Sequence, residues 1–220
     1  MTRKIEYYKS TTLVNYQEAS NFMERRAISI RNGEMKELIW LLEHPSIYTA
    51  GSSAKEEELL VTNKIPVYQT PRGGKYTYHG PGQRVIYLMI DLERFNKDIR
   101  YFIQTLEEIL INTMASFNID VYPSRDRIGL WVKRDNVEQK IGAIGLKVKK
   151  WISLHGIAIN INPNMDYFNG IIPCGLSNFG VTSLNEIDTN ISIERFDKKF
   201  IENFEYKIAK LTRIDNLILS

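Results

Sequence analysis

Arg72-Gly-Gly-Lys-Tyr-Thr-Tyr-His-Gly-Pro-Gly-Gln83 is the stretch on which the reading of this chain turns. Gly73, Gly74, Gly80 and Gly82 admit positive φ or close approach of a ligand, and Pro81 stiffens the turn. Backbone amides exposed in such a loop hold carbonyl or anionic groups. The plain alternative is a tight turn between two strands. Arg72 and His79 bracket the loop within eight residues, which favours a site. Its spacing fits neither a P-loop nor a dinucleotide fingerprint, so nucleotide binding draws no support from it.

Two further stretches spend residues that packing alone does not demand. In Lys140-Ile-Gly-Ala-Ile-Gly-Leu-Lys147, glycines at 142 and 145 interrupt a strand pattern, which marks close approach by a ligand or another backbone. Lys140 taken alone reads as an ordinary solvated lysine. In Ile171-Ile-Pro-Cys-Gly-Leu-Ser177 the chain's one cysteine sits between Pro173 and Gly175. A lone cysteine is more often a small buried hydrophobe than a nucleophile, but the rigid turn makes Cys174 a candidate nucleophile. A free thiol titrates near ~8.5, so little of it is thiolate at neutral pH. Lowering that value by about 1.5 pH units takes roughly 2 kcal/mol, which one ammonium at about 4 Å supplies at intermediate dielectric. A Lys–Cys pair is therefore sufficient in principle.

Across the whole chain, 220 residues with 43% hydrophobic and 25% charged side chains suit one globular domain spanning 1–220. No run approaches the roughly 20 apolar residues of a membrane span, and the opening Met1-Thr-Arg-Lys-Ile-Glu lacks an apolar targeting segment. A cytoplasmic protein is expected. A net charge of +3 is too mild to indicate nucleic acid. One cysteine and three histidines (His44, His79, His155) exclude an internal disulfide and weigh against a metal centre. Helical spacing of apolar residues predicts helices over 98–117, with Asn96 as a cap, and from Ile193 onward with Ser192 as N-cap. A weaker pattern covers 15–30. Strands are predicted at 37–42, 84–90, 130–132, 140–148 and 151–161, with a hairpin tip at Arg134-Asp135-Asn136. Without regular βαβ alternation, the expected class is α+β, a two-layer arrangement of helices on a mixed, largely antiparallel sheet.

These motifs, with Leu41-Leu-Glu-His-Pro-Ser-Ile-Tyr48, His155-Gly-Ile-Ala…Asn160, Pro173-Cys-Gly and Thr182-Ser-Leu184, resemble the lipoyl(octanoyl) transferases in order and spacing over residues 10 to 185. The resemblance implies the catalytic fold shared with biotin and lipoate protein ligases. It implies transfer of octanoyl from acyl carrier protein to a lysine of a lipoyl domain, without ATP or any cofactor. The acceptors would be the lipoyl domains of 2-oxoacid dehydrogenase complexes and the glycine cleavage H protein, with no nucleic acid or membrane partner. Cys174 would form the acyl thioester, and Lys140 would depress its pKa and shuttle protons. Arg72, Gly73, Gly74, Lys75, Tyr76, Thr77, Tyr78 and His79, then Ala143, Ile144 and Gly145, then Gly156, Ile157 and Ala158, would line the acyl groove. Arg84 stands where an apolar residue is expected. An ATP-dependent lipoate or biotin-type ligase, an amidotransferase between carrier proteins, and a non-catalytic acyl or carrier-protein binding module are the alternatives. His79 positions substrate or locks its loop; His155 and Asn160 are assigned mainly to structure. Lys147, Lys149 and Lys150 either steer an acidic partner or form a solvated strand end.

Overall fold

The structure is a computed structural model, and it describes residues 5–61, 65–124, 127–134, 136–172 and 180–218, with side chains of the last helix described to 211. Two strand runs carry apolar residues on both faces and so become the sheet's centre. In β2 (Leu38–Leu42) and β6 (Gln83–Met89) every residue is buried. Such a run lacks polar alternation because helices cover both sides. Leu38, Trp40, Leu42, Val85, Tyr87 and Met89 face α1 (Tyr16–Arg31), while Ile39, Leu41, Ile86 and Leu88 face α2 (Ile99–Ala115) and α3 (Ile193–Ile218).

The remaining strands of this sheet are β1 (Glu6–Lys9), β7 (Tyr122–Pro123), β8 (Leu130–Arg134), β9 (Val137–Lys149), β10 (Ile152–Asn160) and β11 (Gly180–Val181). Their order is β1-β2-β6-β10-β9-β8-β7, with β11 against β9. The pairs β1–β2 and β9–β11 are parallel; the others are antiparallel. A smaller sheet of β4 (Val67–Gln69), β3 (Ile47–Ala50) and β5 (Tyr76–His79) lies beside it. The mixed, largely antiparallel sheet with helices is the class expected from sequence. Helices α2 and α3 provide the expected second layer, and α1 covers the opposite face. Among the described residues no helix is long and apolar enough to cross a membrane.

Local chemistry explains the boundaries. Asn15 caps α1 by accepting from the amides of Gln17 and Glu18. Asp98, not Asn96, caps α2, accepting from Arg100 and Tyr101. Asn96 instead takes φ +55° to close the preceding short 3-10 turn, a left-handed position that asparagine tolerates. Ser192 Oγ accepts from the amide of Arg195 at the head of α3. Strands β9 and β10 are joined by Lys150 and Trp151, both at positive φ, the backbone of a two-residue hairpin turn. Trp151 thus belongs to the turn and not to the strand. Of the expected hairpin tip at 134–136, Asp135 lies outside the described residues.

Arg84 lies 1% exposed on the α2/α3 side of β6, where its guanidinium meets Asp197 of α3 at 2.9 Å; Lys9 joins the same carboxylate at 2.7 Å. A buried pair of this kind costs much when half is removed and little when replaced whole by apolar residues. Asp197→Asn is expected to lose about 3 kcal/mol in urea unfolding, and Arg84→Met with Asp197→Leu to recover most of it. An unchanged midpoint for Asp197→Asn would show that the pair does not hold α3 to the sheet.

Candidate active site

The register of β9 against β10 brings the two central motifs face to face. Ala143 pairs with Ala158, Ile144 with Ile157 and Gly145 with Gly156, so the sheet is nearly bare of side chains at one spot. The glycine-rich stretch lies over it. Gly73 N–H donates to Leu146 O at 3.2 Å, and a Cβ on Gly145 would crowd Arg72 and the Gly73 carbonyl. Gly82, at φ +83°, could not carry a side chain, which would run into the Asn162 carbonyl. Its amide instead donates to Glu43 Oε2 at 2.7 Å, so the motif at 41–48 braces the loop.

A cavity of about 510 Å³ opens where these parts meet, within the range of sites that take a small apolar ligand. Arg72 through Thr77, His79, Ala143 to Gly145, Gly156 to Ala158 and Lys140 all line it. The Tyr78 ring turns the other way, into the core of the small sheet. It stacks on Tyr167 at 5.0 Å, with its hydroxyl 3.1 Å from Ser46 Oγ. Cys174 lies outside the described residues. Sequence reasoning missed Tyr87 from β6, Ile99 and Ile103 from α2, and Ile128, which complete the walls. Their types carry no signal, because an apolar residue facing a cavity reads like one facing the core.

Lys140 is 7% exposed, and its Nζ donates to Ile128 O at 3.0 Å, 5.6 Å from the Trp131 ring centre. It is therefore no solvated surface lysine. Arg72 is buried as well, donating to Thr49 O and Oγ1, Gly73 O and Lys75 O. Lys75 pairs with Glu58. Lys147 and Lys149 both pair with Glu24 of α1, which ties the supposed basic cluster to the protein's own carboxylate.

His44 and His155 pack on Tyr87, and His79 packs on His44. His44 lies 5.8 Å from His79 and 5.7 Å from Tyr87, and His155 lies 5.9 Å from Tyr87, measured between ring centres. Strand alternation assigns residue 155 to the face of Ile157 and Ile159, yet its ring packs against Tyr87 on the opposite face. A φ of +61° makes that possible, a conformation costing a non-glycine residue roughly 1–2 kcal/mol. His155 thus lines the cavity instead of merely supporting the strand.

The chain matches the family described as lipoyl protein ligase A/B catalytic domain over residues 15–205, and it belongs to that family. Within it, the relatives are transferases by name. It is 48% identical over 201 residues to the octanoyltransferase of Ehrlichia chaffeensis, covering 91% of this chain and 94% of that one. It is 45% identical over 207 residues to the octanoyltransferase of Zymomonas mobilis, covering 94% and 96%. In structure it resembles a chain of the bipartite lipoate protein ligase and its E2 lipoyl domain from Thermoplasma acidophilum (TM-score 0.70, 16% identity, 94% and 85% covered). It also resembles biotin protein ligase from Aquifex aeolicus (TM-score 0.51, 11% identity, 95% and 69% covered).

Burial sets the charge of the site. It pushes His79 down to about 3, with His44 and Arg72 adding to the effect, and His44 and His155 down to about 4. All three stay neutral in the folded state at pH 5 to 7, whereas the unfolded chain protonates them below about 6.5. The unfolded state then binds more protons, so stability falls as pH drops from 6.5 towards 4 and levels off above 7. Each histidine contributes a slope of up to about 1.4 kcal/mol per pH unit. Burial raises Glu37 and Glu107, which pull the opposite way, so the comparison needs a variant. Urea unfolding at pH 7.5, 6.0 and 5.0 is expected to show the fall, with a shallower slope in His44→Gln. Equal slopes would mean that His44 protonates freely in the folded protein.

Proposed function

We propose that this protein is an octanoyltransferase: a single catalytic domain that moves a medium-chain acyl group from a carrier-protein thioester to a lysine of a lipoyl domain. The observation that carries the reading is an apolar cavity walled by the glycine-rich stretch, by Ala143 to Gly145 and by Gly156 to Ala158, with the buried Lys140 on its lining. Family membership and the names of relatives at 45–48% identity support it.

The resemblance to the lipoyl(octanoyl) transferases implies the donor and acceptors, and the residue types suit the steps. The donor is octanoyl-acyl carrier protein, and the acceptors are lipoyl domains of 2-oxoacid dehydrogenase complexes and the glycine cleavage H protein. Exchange of a thioester for a thioester on Cys174 is nearly isoenergetic, and thioester to amide is downhill, so neither step requires ATP or another cofactor. Cys174 attacks the donor carbonyl, the carrier thiol leaves, and the lysine amine then displaces the Cys174 sulfur. Lys140 lowers the pKa of the Cys174 thiol and passes protons between the thiols and the amine. Amides of the glycine-rich stretch stabilise the oxyanion of each tetrahedral intermediate. Burying the six methylenes of an octanoyl chain in the cavity contributes about 5 kcal/mol towards binding. The protein works in the cytoplasm.

Intact mass after incubation with octanoyl-acyl carrier protein, without ATP or magnesium, tests the reading. A gain of one octanoyl group is expected, released by hydroxylamine and absent in Cys174→Ser. Lys140→Met is expected to slow loading by about 100-fold or more, the usual loss when a positioned proton-transfer group goes. A folded protein that takes no adduct, but activates free octanoate with ATP, would make it a ligase. Binding of the carrier without turnover would make it a binding module.

A further inference from the structure

We propose that Gln83 is a positioning residue that fixes His79 as the tautomer with a bare Nε2, and that this nitrogen receives the N–H of the attacking lysine amine. The inference rests on the acyl-transfer reading above and extends it to how the acceptor is held.

Three side chains, His79, Gln83 and Asn160, form one hydrogen-bonded line across the site. His79 Nδ1 lies 2.6 Å from Gln83 Oε1; Gln83 Nε2 donates to Tyr78 O at 3.1 Å and to Asn160 Oδ1 at 2.9 Å; Asn160 Nδ2 donates to Thr182 O at 3.0 Å. Thr182 N–H in turn donates to Lys140 O at 2.9 Å. The line therefore runs from the glycine-rich stretch to the backbone that carries Lys140.

Its direction is forced from the ends. Tyr78 O and Thr182 O are backbone carbonyls and can only accept. Thr182 O demands the amide nitrogen of Asn160, which turns Asn160 Oδ1 towards Gln83. Tyr78 O and Asn160 Oδ1 together demand the amide nitrogen of Gln83, which turns Gln83 Oε1 towards His79. A carbonyl oxygen at 2.6 Å requires a proton on Nδ1. A neutral imidazole then has its lone pair at Nε2. Flipping either amide would set acceptor against acceptor at a buried position, where an unmet polar group is costly.

His79 itself is 7% exposed and lines the cavity, so the fixed ring is part of the wall that ligands meet. Arg72 and Lys140 bring cationic side chains to the lining of the same cavity; His79 brings a neutral acceptor. The acyl chain and thioester carbonyl carry no N–H. The acceptor lysine does, at the atom that must be aimed. With its pKa held near 3, His79 does not keep a proton at neutral pH, so it orients the amine and does not deprotonate it. As the C–N bond forms and the C–S bond breaks, the amine's proton goes to the departing Cys174 sulfur, directly or by way of Lys140.

Two measurements test this. In the wild-type protein, long-range proton–nitrogen NMR of the three histidine rings is expected to show His79 as a neutral ring protonated at Nδ1; protonation at Nε2 overturns the proposal. In single turnovers, Gln83→Met is expected to slow transfer from the acyl-enzyme to an apo-lipoyl domain about tenfold more than it slows loading from octanoyl-acyl carrier protein, and to disturb the Nδ1–H signature. Equal losses in both half-reactions, or a loss in loading alone, overturn it too. His79→Phe should reproduce the selective loss, and its failure to do so sinks the idea even if Gln83→Met misfolds. A wild-type protein that never takes up octanoyl overturns the acyl-transfer reading, and this inference with it.

Discussion

The site is held together by a buried guanidinium that bonds to three backbone carbonyls and the Thr49 hydroxyl. Arg72 Nη2 reaches Thr49 O at 2.9 Å, Thr49 Oγ1 at 2.7 Å and Lys75 O at 3.0 Å, while Nη1 reaches Gly73 O at 3.0 Å. It thereby fastens β3 to both sides of the Gly73-Gly74 turn. A lysine could not repeat this, because a point charge lacks the planar spread of donors. Burying a charge costs several kcal/mol unless dipoles surround it, and here carbonyls do. The same buried charge adds to desolvation in keeping His79 and His155 neutral. One residue thus sets both the shape of the loop and the charge state of the rings near it.

That clamp works only because the sheet beneath it is bare. Pairing Gly145 with Gly156 removes the side chains that would hold the loop away, and Gly73 can then bond to Leu146 O. Glycine in a strand costs stability. The loss is met elsewhere, by β2 and β6 packed between helices on both faces and by Phe196, Phe200 and Phe204 of α3, all fully buried. The rigid core is where activity needs nothing. The bare patch is where a ligand needs room.

This division decides what could be read in advance. Residues with special backbone demands or a lone chemical identity announce themselves, which is why the glycine-rich stretch, Lys140 and the 155–158 motif were legible before any coordinates. Helices with clear spacing were legible too, to within a residue or two of their ends. Contacts made by register were not. Lys140 meets Ile128 O because β8 pairs with β9 through an irregularity at Leu130/Trp131, and no local pattern specifies that. The Arg84–Asp197 pair joins residues 113 apart in sequence, so Arg84 looked like a departure bearing on the acyl groove. It lies instead on the other face of β6, among α3 contacts. Cys174, the residue that most shaped the functional reading, falls outside the described residues, so its role rests on its motif.

The motifs at 41–48 and 182–184 had no assigned task when only the sequence was in hand, and the hydrogen bonds supply one. Glu43 receives the amide of Gly82, His44 accepts from Tyr87 while donating to Val14 O, and Thr182 links Asn160 to Lys140. His44 and Thr182 each hold a residue that lines the cavity, Tyr87 and Lys140, while Glu43 braces the glycine-rich loop. A cavity that admits an apolar chain gains by keeping its polar groups bound to each other, so that few recruit solvent. Neutral histidines with fixed partners meet that demand better than charged ones would, since an imidazolium in an apolar cavity draws water or a counter-ion. The low pKa values, the strained backbone at His155 and the glycine pair therefore answer one requirement: room for an apolar chain among polar groups whose hydrogen bonds are mostly made within the protein.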